Sequence, residues 1–119
     1  MKFISIFTVE PGKAAPPDAD SMANMTALIK EFSESGVLID TGGVAPTGTS
    51  LRVAGTGKGP VVVTDGPFAE SKEVLGGYAV LNVTDREHLL AVVRRFLACA
   101  GGGTCTLHEL ADMPDDTRA

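Results

Sequence analysis

Gly76-Gly77-Tyr78-Ala79-Val80-Leu81-Asn82-Val83, followed by Thr84 to Ala100 and then by Gly101-Gly102-Gly103-Thr104-Cys105-Thr106-Leu107-His108-Glu109-Leu110, is the stretch on which the fold turns. Its opening is rich in aromatic and aliphatic side chains after two glycines, the composition of a strand. Leu89, Val93 and Phe96, with Leu90 and Leu97, then recur at three- and four-residue steps, which predicts one apolar stripe along a helix. Thr84 and Glu87 have capping-box spacing, in which each side chain satisfies a backbone donor of the first turn. Arg94 and Arg95 fall near the helix end, where the dipole favours cations. Three glycines stop the helix, and residues 104–110 read as a further strand.

The same order appears upstream. Phe3 to Val9 is β-branched and aromatic and stops at Pro11-Gly12, which predicts a buried strand. A Pro/Gly/Ala loop fills 10–17. Met22, Met25, Leu28 or Ile29, and Phe32 form a helical stripe over roughly 18–35, with start signals at Asp18, Asp20 and Ser21 and a stop at Gly36. Val37-Leu38-Ile39 begin a strand that runs into Gly42-Gly43. Between the two halves, residues 49–53 and 60–64 look like short strands joined at Gly55-Thr56-Gly57-Lys58-Gly59. The expected class is therefore α+β, a ferredoxin-like βαββαβ chain with a β-hairpin insertion and both helices on one face of an antiparallel sheet. Strands such as 3–7 and 61–63 are apolar on both sides, so the second face also needs a cover. A second copy of the sheet supplies it most simply, which predicts a homodimer. Residues 1–111 form one domain, and 112–119 are a polar tail.

Composition narrows the function. The chain has 119 residues, enough for one core. Ten basic against fifteen acidic side chains give a net charge of −5, which disfavours nucleic acid and anionic membrane surfaces as partners. The N-terminal apolar run breaks at Glu10-Pro11-Gly12, too early for a signal peptide, and no stretch is long enough to span a membrane. Cys99 and Cys105 read as reduced thiols of a cytoplasmic protein. A bridge between them across the three glycines is the competing reading.

The densest candidate chemistry lies from Asp65 to Tyr78. Asp65-Gly66-Pro67-Phe68 makes a tight turn at the end of a strand, where a partly desolvated carboxylate can serve as a general base. Asp65 can equally cap the turn by accepting backbone N–H groups. Phe68, Ser71, Lys72 and Glu73 follow in the same loop, where Lys72 is placed to hold an anionic substrate or a developing oxyanion. Lys72 and Glu73 can also be a solvated pair. His108 on the last strand is a candidate acid or base near neutral pH, or a structural histidine. Tyr78, the only tyrosine, begins a strand and can turn its hydroxyl into a cleft or sit half-buried. His88 reads as solvent-facing, and Met22 and Met25 as core filler. The two histidines and two cysteines lack zinc-ligand spacing, so no metal is expected. The 55–59 run lacks the full phosphate-loop pattern, and neither a nucleophile elbow nor a cysteine beside a base is present.

Val63-Thr64-Asp65-Gly66-Pro67-Phe68-Ala69-Glu70-Ser71-Lys72-Glu73, followed by Gly76-Gly77-Tyr78, resembles the YCII-related family in its DGPF-type branch. The likeness extends from the Phe3–Val9 strand to Leu110. It implies a ferredoxin-like fold forming a dimeric α/β barrel. Similar barrels include cofactor-free isomerases of the muconolactone type, monooxygenases of the quinol type, and dehydratases or decarboxylases. Asp65 matches the aspartate of the DGPF motif. YCII proteins proper carry a His–Asp pair with the histidine near the first helix, and Glu10 to Asp20 contain no histidine here, so that pair does not carry over. His108 stands where relatives of this branch often have arginine.

Two readings follow. In one, the protein is a small cofactor-independent isomerase, dehydratase or decarboxylase, with Asp65 as base, Lys72 as anion anchor and His108 or Tyr78 as a second acid. In the other, it is a non-catalytic dimeric module that binds a small ligand or a partner protein.

Overall fold

In a computed structural model, described over residues 1–10, 18–45, 50–66 and 74–111, the chain is α+β and ferredoxin-like. The elements are β1 (Lys2–Val9), α1 (Ala19–Glu34), β2 (Leu38–Gly43), β3 (Leu51–Ala54), β4 (Val62–Asp65), β5 (Val74–Asn82), α2 (Arg86–Ala100) and β6 (Thr104–Glu109). The tail expected at 112–119 lies outside the described residues.

The main sheet has the order β2-β5-β1-β6, with every pairing antiparallel. The first strand of each half is central and the last strand of each half lies at an edge. Alternation along β1 sends Phe3, Ser5 and Phe7 to one face, opposite Leu81, Ala79 and Gly77 of β5. Leu81 and its neighbour Val83 close a core with Leu28 and Phe32 of α1 and Leu89 and Val92 of α2; Phe3, Leu38, Ala79, Phe96 and Leu107 pack against it. Each such side chain removed from water contributes roughly 1.5–3 kcal/mol. Across the helix surfaces Arg95 reaches Glu31, and its guanidinium lies 5.1 Å above the ring of Phe32.

Helix α1 starts where the start signals place it, and α2 starts one residue later than its capping pattern suggests. Asp18, in extended backbone, caps α1 by accepting from the Ser21 amide at 2.7 Å. For α2 the cap is Asp85 rather than Thr84: its carboxylate accepts from the His88 amide at 2.8 Å. Thr84 instead donates its own amide to His88 Nδ1, so His88 is half-buried at the helix start rather than solvent-facing. The core face of α2 is centred on Leu89 and Val92, which leaves Leu90 40% exposed. Met22 is not core filler; it is 58% exposed, one turn before Met25. At the far end of α2, Gly101 takes a left-handed φ of 79° that an L side chain resists.

The insertion forms a separate two-stranded sheet. Leu51 pairs with Asp65 and Ala54 with Val62, one to two residues later than the sequence reading places these strands. Gly57 and Gly59 turn the tip with positive φ, and Gly66 N donates to Ser50 O at 2.7 Å to close the open end. Its strands remain strongly exposed, with Val62 at 66%.

Candidate functional site

A cavity of about 490 Å³ opens between the main sheet and the two helices, within the ordinary size range of ligand pockets. Its walls are mostly apolar: Phe7, Met25, Leu28, Phe32, Val93 and Phe96. Phe7 and Phe96 meet edge to face, with ring centroids 5.0 Å apart. The polar residues in the lining are Ser5, Thr41, Tyr78 and Cys105, all uncharged in their ordinary states.

Two register irregularities shape the sheet end of this cavity. Between Phe7 and Thr8 the β1–β5 ladder slips, and Gly76 is the extra residue. A Cβ on Gly76 would lie 2.8 Å from the Phe7 ring. Between Leu38 and Asp40 the β2–β5 ladder slips again, leaving Ile39 unpaired. That slip sets Asp40 opposite Val80, on the sheet face that Tyr78 also occupies by alternation. An unbroken ladder would instead have paired Asp40 with Ala79, toward the helices.

The result is a compact polar cluster on the sheet face away from the helices, across the sheet from the cavity. Tyr78 Oη donates to Asp40 Oδ2 at 3.0 Å, and the Thr41 amide donates to Asp40 Oδ1 at 2.9 Å. Thr41 Oγ1 donates to the Tyr78 carbonyl at 2.9 Å. Gly42 stands across from Tyr78, and a Cβ there would lie 2.7 Å from the phenol ring, so the ring rests on bare backbone. The hydrogen bond to Asp40, then the carboxylate's charge, raise the Tyr78 pKa above its ordinary value. Tyr78 is therefore a held, protonated phenol. Its oxygen keeps lone pairs for a ligand's O–H, and Asp40 stands behind it as the proton acceptor.

Within the cavity, Ser5 is buried at 6% exposure and hydrogen-bonds the Cys105 side chain. Burial pushes the Cys105 thiol up, against the smaller opposing effect of Ser5, which keeps it protonated and poorly nucleophilic. Cys99 and Cys105 are both free.

The residues singled out in the sequence are distributed unevenly about this site. Tyr78 lies in the middle of β5 rather than at its start; it is among the residues lining the cavity, but alternation turns its side chain to the opposite sheet face. Asp65 ends β4 in the hairpin sheet and is exposed. His108 pairs with Ile4 on edge strand β6, on the sheet face away from the helices, and is exposed. Strand β1 stands between it and Tyr78, so two strand spacings, roughly 10 Å, separate them across the sheet. Phe68, Ser71, Lys72 and Glu73 lie outside the described residues. Asp40 was not among the sequence candidates. Its signal was weak: one carboxylate in a strand otherwise small and apolar, whose facing depends on a bulge that alternation does not reveal. Among the described residues no group of three His, Cys, Asp or Glu side chains is placed to hold a metal ion, and no helix is long and apolar enough to cross a membrane.

The YCII-related domain model matches residues 1–105. No curated protein is detectably similar to the chain. Among solved structures, the chain is similar to 5-chloro-2-hydroxyhydroquinone dehydrochlorinase from Burkholderia phenoliruptrix AC1100, determined in complex with 2,5-dihydroxybenzoquinone. The TM-score is 0.50 with 13% sequence identity, over 93% of this chain and 94% of that one, a likeness of fold.

Proposed function

The chain belongs to the YCII-related domain family, and from that premise we propose that it is a small enzyme, working without a cofactor, that moves a proton on an organic molecule held against the main sheet. The carrying observation is the Tyr78–Asp40 hydrogen bond on the sheet face away from the helices. A substrate hydroxyl donating to Tyr78 Oη loses its proton to the phenol oxygen as the phenol proton passes to Asp40. The reverse transfer returns it elsewhere on the substrate, the outcome being isomerisation, dehydration or decarboxylation. The solved structure of like fold bears the name of a dehydrochlorinase and holds a dihydroxybenzoquinone, which accords with a small oxygenated substrate.

Within the family we place the chain in the DGPF-type branch, on the run from Asp65 to Glu73. Asp65 and His108 remain second candidates for the acid and base, with Phe68, Ser71, Lys72 and Glu73 as substrate contacts. The working unit in this proposal is a homodimer. Ile4, Ile6 and Val80 share the sheet face away from the helices, and Leu51, Val53, Val61, Val62 and Val63 of the hairpin are 55–66% exposed, an apolar surface that a second copy would cover. The free thiols accord with a cytoplasmic setting.

A screen of small hydroxylated and carbonyl-bearing ring compounds supplies the substrate for the test. Tyr78→Phe and Asp40→Asn should each lower turnover at least about 100-fold with the fold intact. Native turnover in both variants, with loss in Asp65→Asn instead, would move the chemistry to the hairpin. A second reading, a non-catalytic ligand-binding dimer, is favoured by one feature, the scarcity of polar groups in the cavity lining. It predicts saturable binding with no conversion of any bound compound.

A further inference from the structure

We infer that the cavity takes a flat, uncharged ring compound bearing a hydroxyl or carbonyl group at one end, and that Gly43 is the residue that admits the ring. This rests on the second reading above, in which the cavity is the ligand site.

The charge argument comes first. None of the described residues lining the cavity is a lysine, arginine, histidine or carboxylate. Among the described residues, a carboxylate or phosphate on the ligand would lose its water there without meeting a cation. An ammonium group would be desolvated against aromatic and aliphatic walls with no carboxylate among the described residues of the lining. A neutral ring suits Phe7, Phe96 and Met25, and one oxygen on it can meet the Ser5 hydroxyl.

Shape is decided at the end of β2. Four glycines, Gly42 and Gly43 on β2 and Gly76 and Gly77 on β5, line the cavity together. Three have packing reasons to lack a side chain. A Cβ on Gly42 would strike the Tyr78 ring, one on Gly76 the Phe7 ring, and one on Gly77 the Gly42 carbonyl at 2.6 Å. Gly43 has no such reason. A Cβ there would find only the Gly76 carbonyl, at 4.0 Å, an ordinary contact. Nor does its backbone require glycine, since it is not among the positive-φ residues. Glycine inside a strand weakens it and often marks a close approach by a ligand. With no Cβ at Gly43, a planar ring can lie directly on the peptide planes of Gly43 and its partner Gly77. A saturated ring, thicker by its axial hydrogens, cannot sit as close.

The test is equilibrium dialysis at pH 7 with three probes: 2-naphthol, its saturated analogue decahydro-2-naphthol, and 2-naphthoate. 2-Naphthol should bind the native protein at least tenfold more tightly than either of the others. Gly43→Ala should weaken 2-naphthol at least tenfold, with the melting temperature unchanged or higher and decahydro-2-naphthol binding little altered. Equal binding of the flat and saturated alcohols overturns the flat-ring assignment while leaving the cavity as the ligand site. Tighter binding of 2-naphthoate overturns the neutral-ligand assignment, and native affinity in Gly43→Ala removes Gly43 from its role. Failure of all three probes to bind overturns both this inference and the cavity reading beneath it. Should Gly43→Ala fail to fold, the flat-versus-saturated comparison on the native chain still decides.

Discussion

Tyr78 and Asp40 meet because strand β2 carries one residue more than its partner. Ile39 is unpaired, 52% exposed, and its insertion turns Asp40 from the helix face to the face of Tyr78, where the hydroxyl donates to Oδ2 at 3.0 Å. The same bulge spares the chain a carboxylate aimed at the helix core, which would be costly without a partner. A local irregularity thus both avoids a buried charge and assembles the polar pair on the open sheet face.

The cap of α2 can be tested by substitution. Asp85 accepts from the His88 amide, whereas the Thr84 side chain faces only the His88 ring, at 3.3 Å. Asp85→Ala should cost about 1 kcal/mol in urea unfolding, and Thr84→Ala a few tenths. Equal costs would return the cap to Thr84.

The hairpin's aliphatic exposure leads to a prediction about assembly. Val62, at 66% exposure, contributes nothing to the core of its own chain. Val62→Lys should therefore leave the melting curve of the dilute protein unchanged. If the hairpin and open sheet face meet a second copy, the native protein sediments at twice 12.3 kDa and the variant shifts toward the monomer. A native protein that sediments as a monomer at micromolar concentration removes the homodimer from the account.

The pair between the helices makes acid stability depend on one carboxylate. Its hydrogen bond to Arg95, and secondarily the charge of Arg95, hold Glu31 below its ordinary pKa. Its stabilising effect is present above the unfolded value and is lost as pH falls through the folded one. Because both side chains are more than half exposed, the effect is small and fades in salt. Glu31→Gln should flatten this part of the acid limb at low ionic strength, with little change near pH 7. A variant whose acid limb matches the native one would show that the pair contributes nothing.

The fold was far more legible in the sequence than the site. Two helical stripes, each flanked by strands, define the element order, because helix and strand periods differ and glycines mark the ends. Errors fell where neighbours compete. Thr84 and Asp85 are both capping residues, and only tertiary position decides between them. Leu89, Leu90, Val92 and Val93 are all apolar, so which of them face the sheet depends on how α2 docks. Tyr78 was visible because it is the only tyrosine in a short strand. Asp40 was hidden, since alternation counted through Ile39 gives the wrong face. The role of Gly43 was hidden as well: what distinguishes it from Gly42, Gly76 and Gly77 is the empty space around it.

The most direct test of the central claim is a spectrophotometric titration of Tyr78, the only tyrosine in a chain without tryptophan. The hydrogen bond and charge of Asp40 favour the neutral phenol in the folded state. Ionisation is therefore predicted above the ordinary phenol value of about 10, with this contribution to stability intact below that value and lost as pH rises through the folded pKa. In Asp40→Ala the midpoint should fall back toward the ordinary value with the fold preserved. A native midpoint at or below the ordinary value, or one that Asp40→Ala leaves unmoved, would contradict the pairing on which the proposed proton transfer depends.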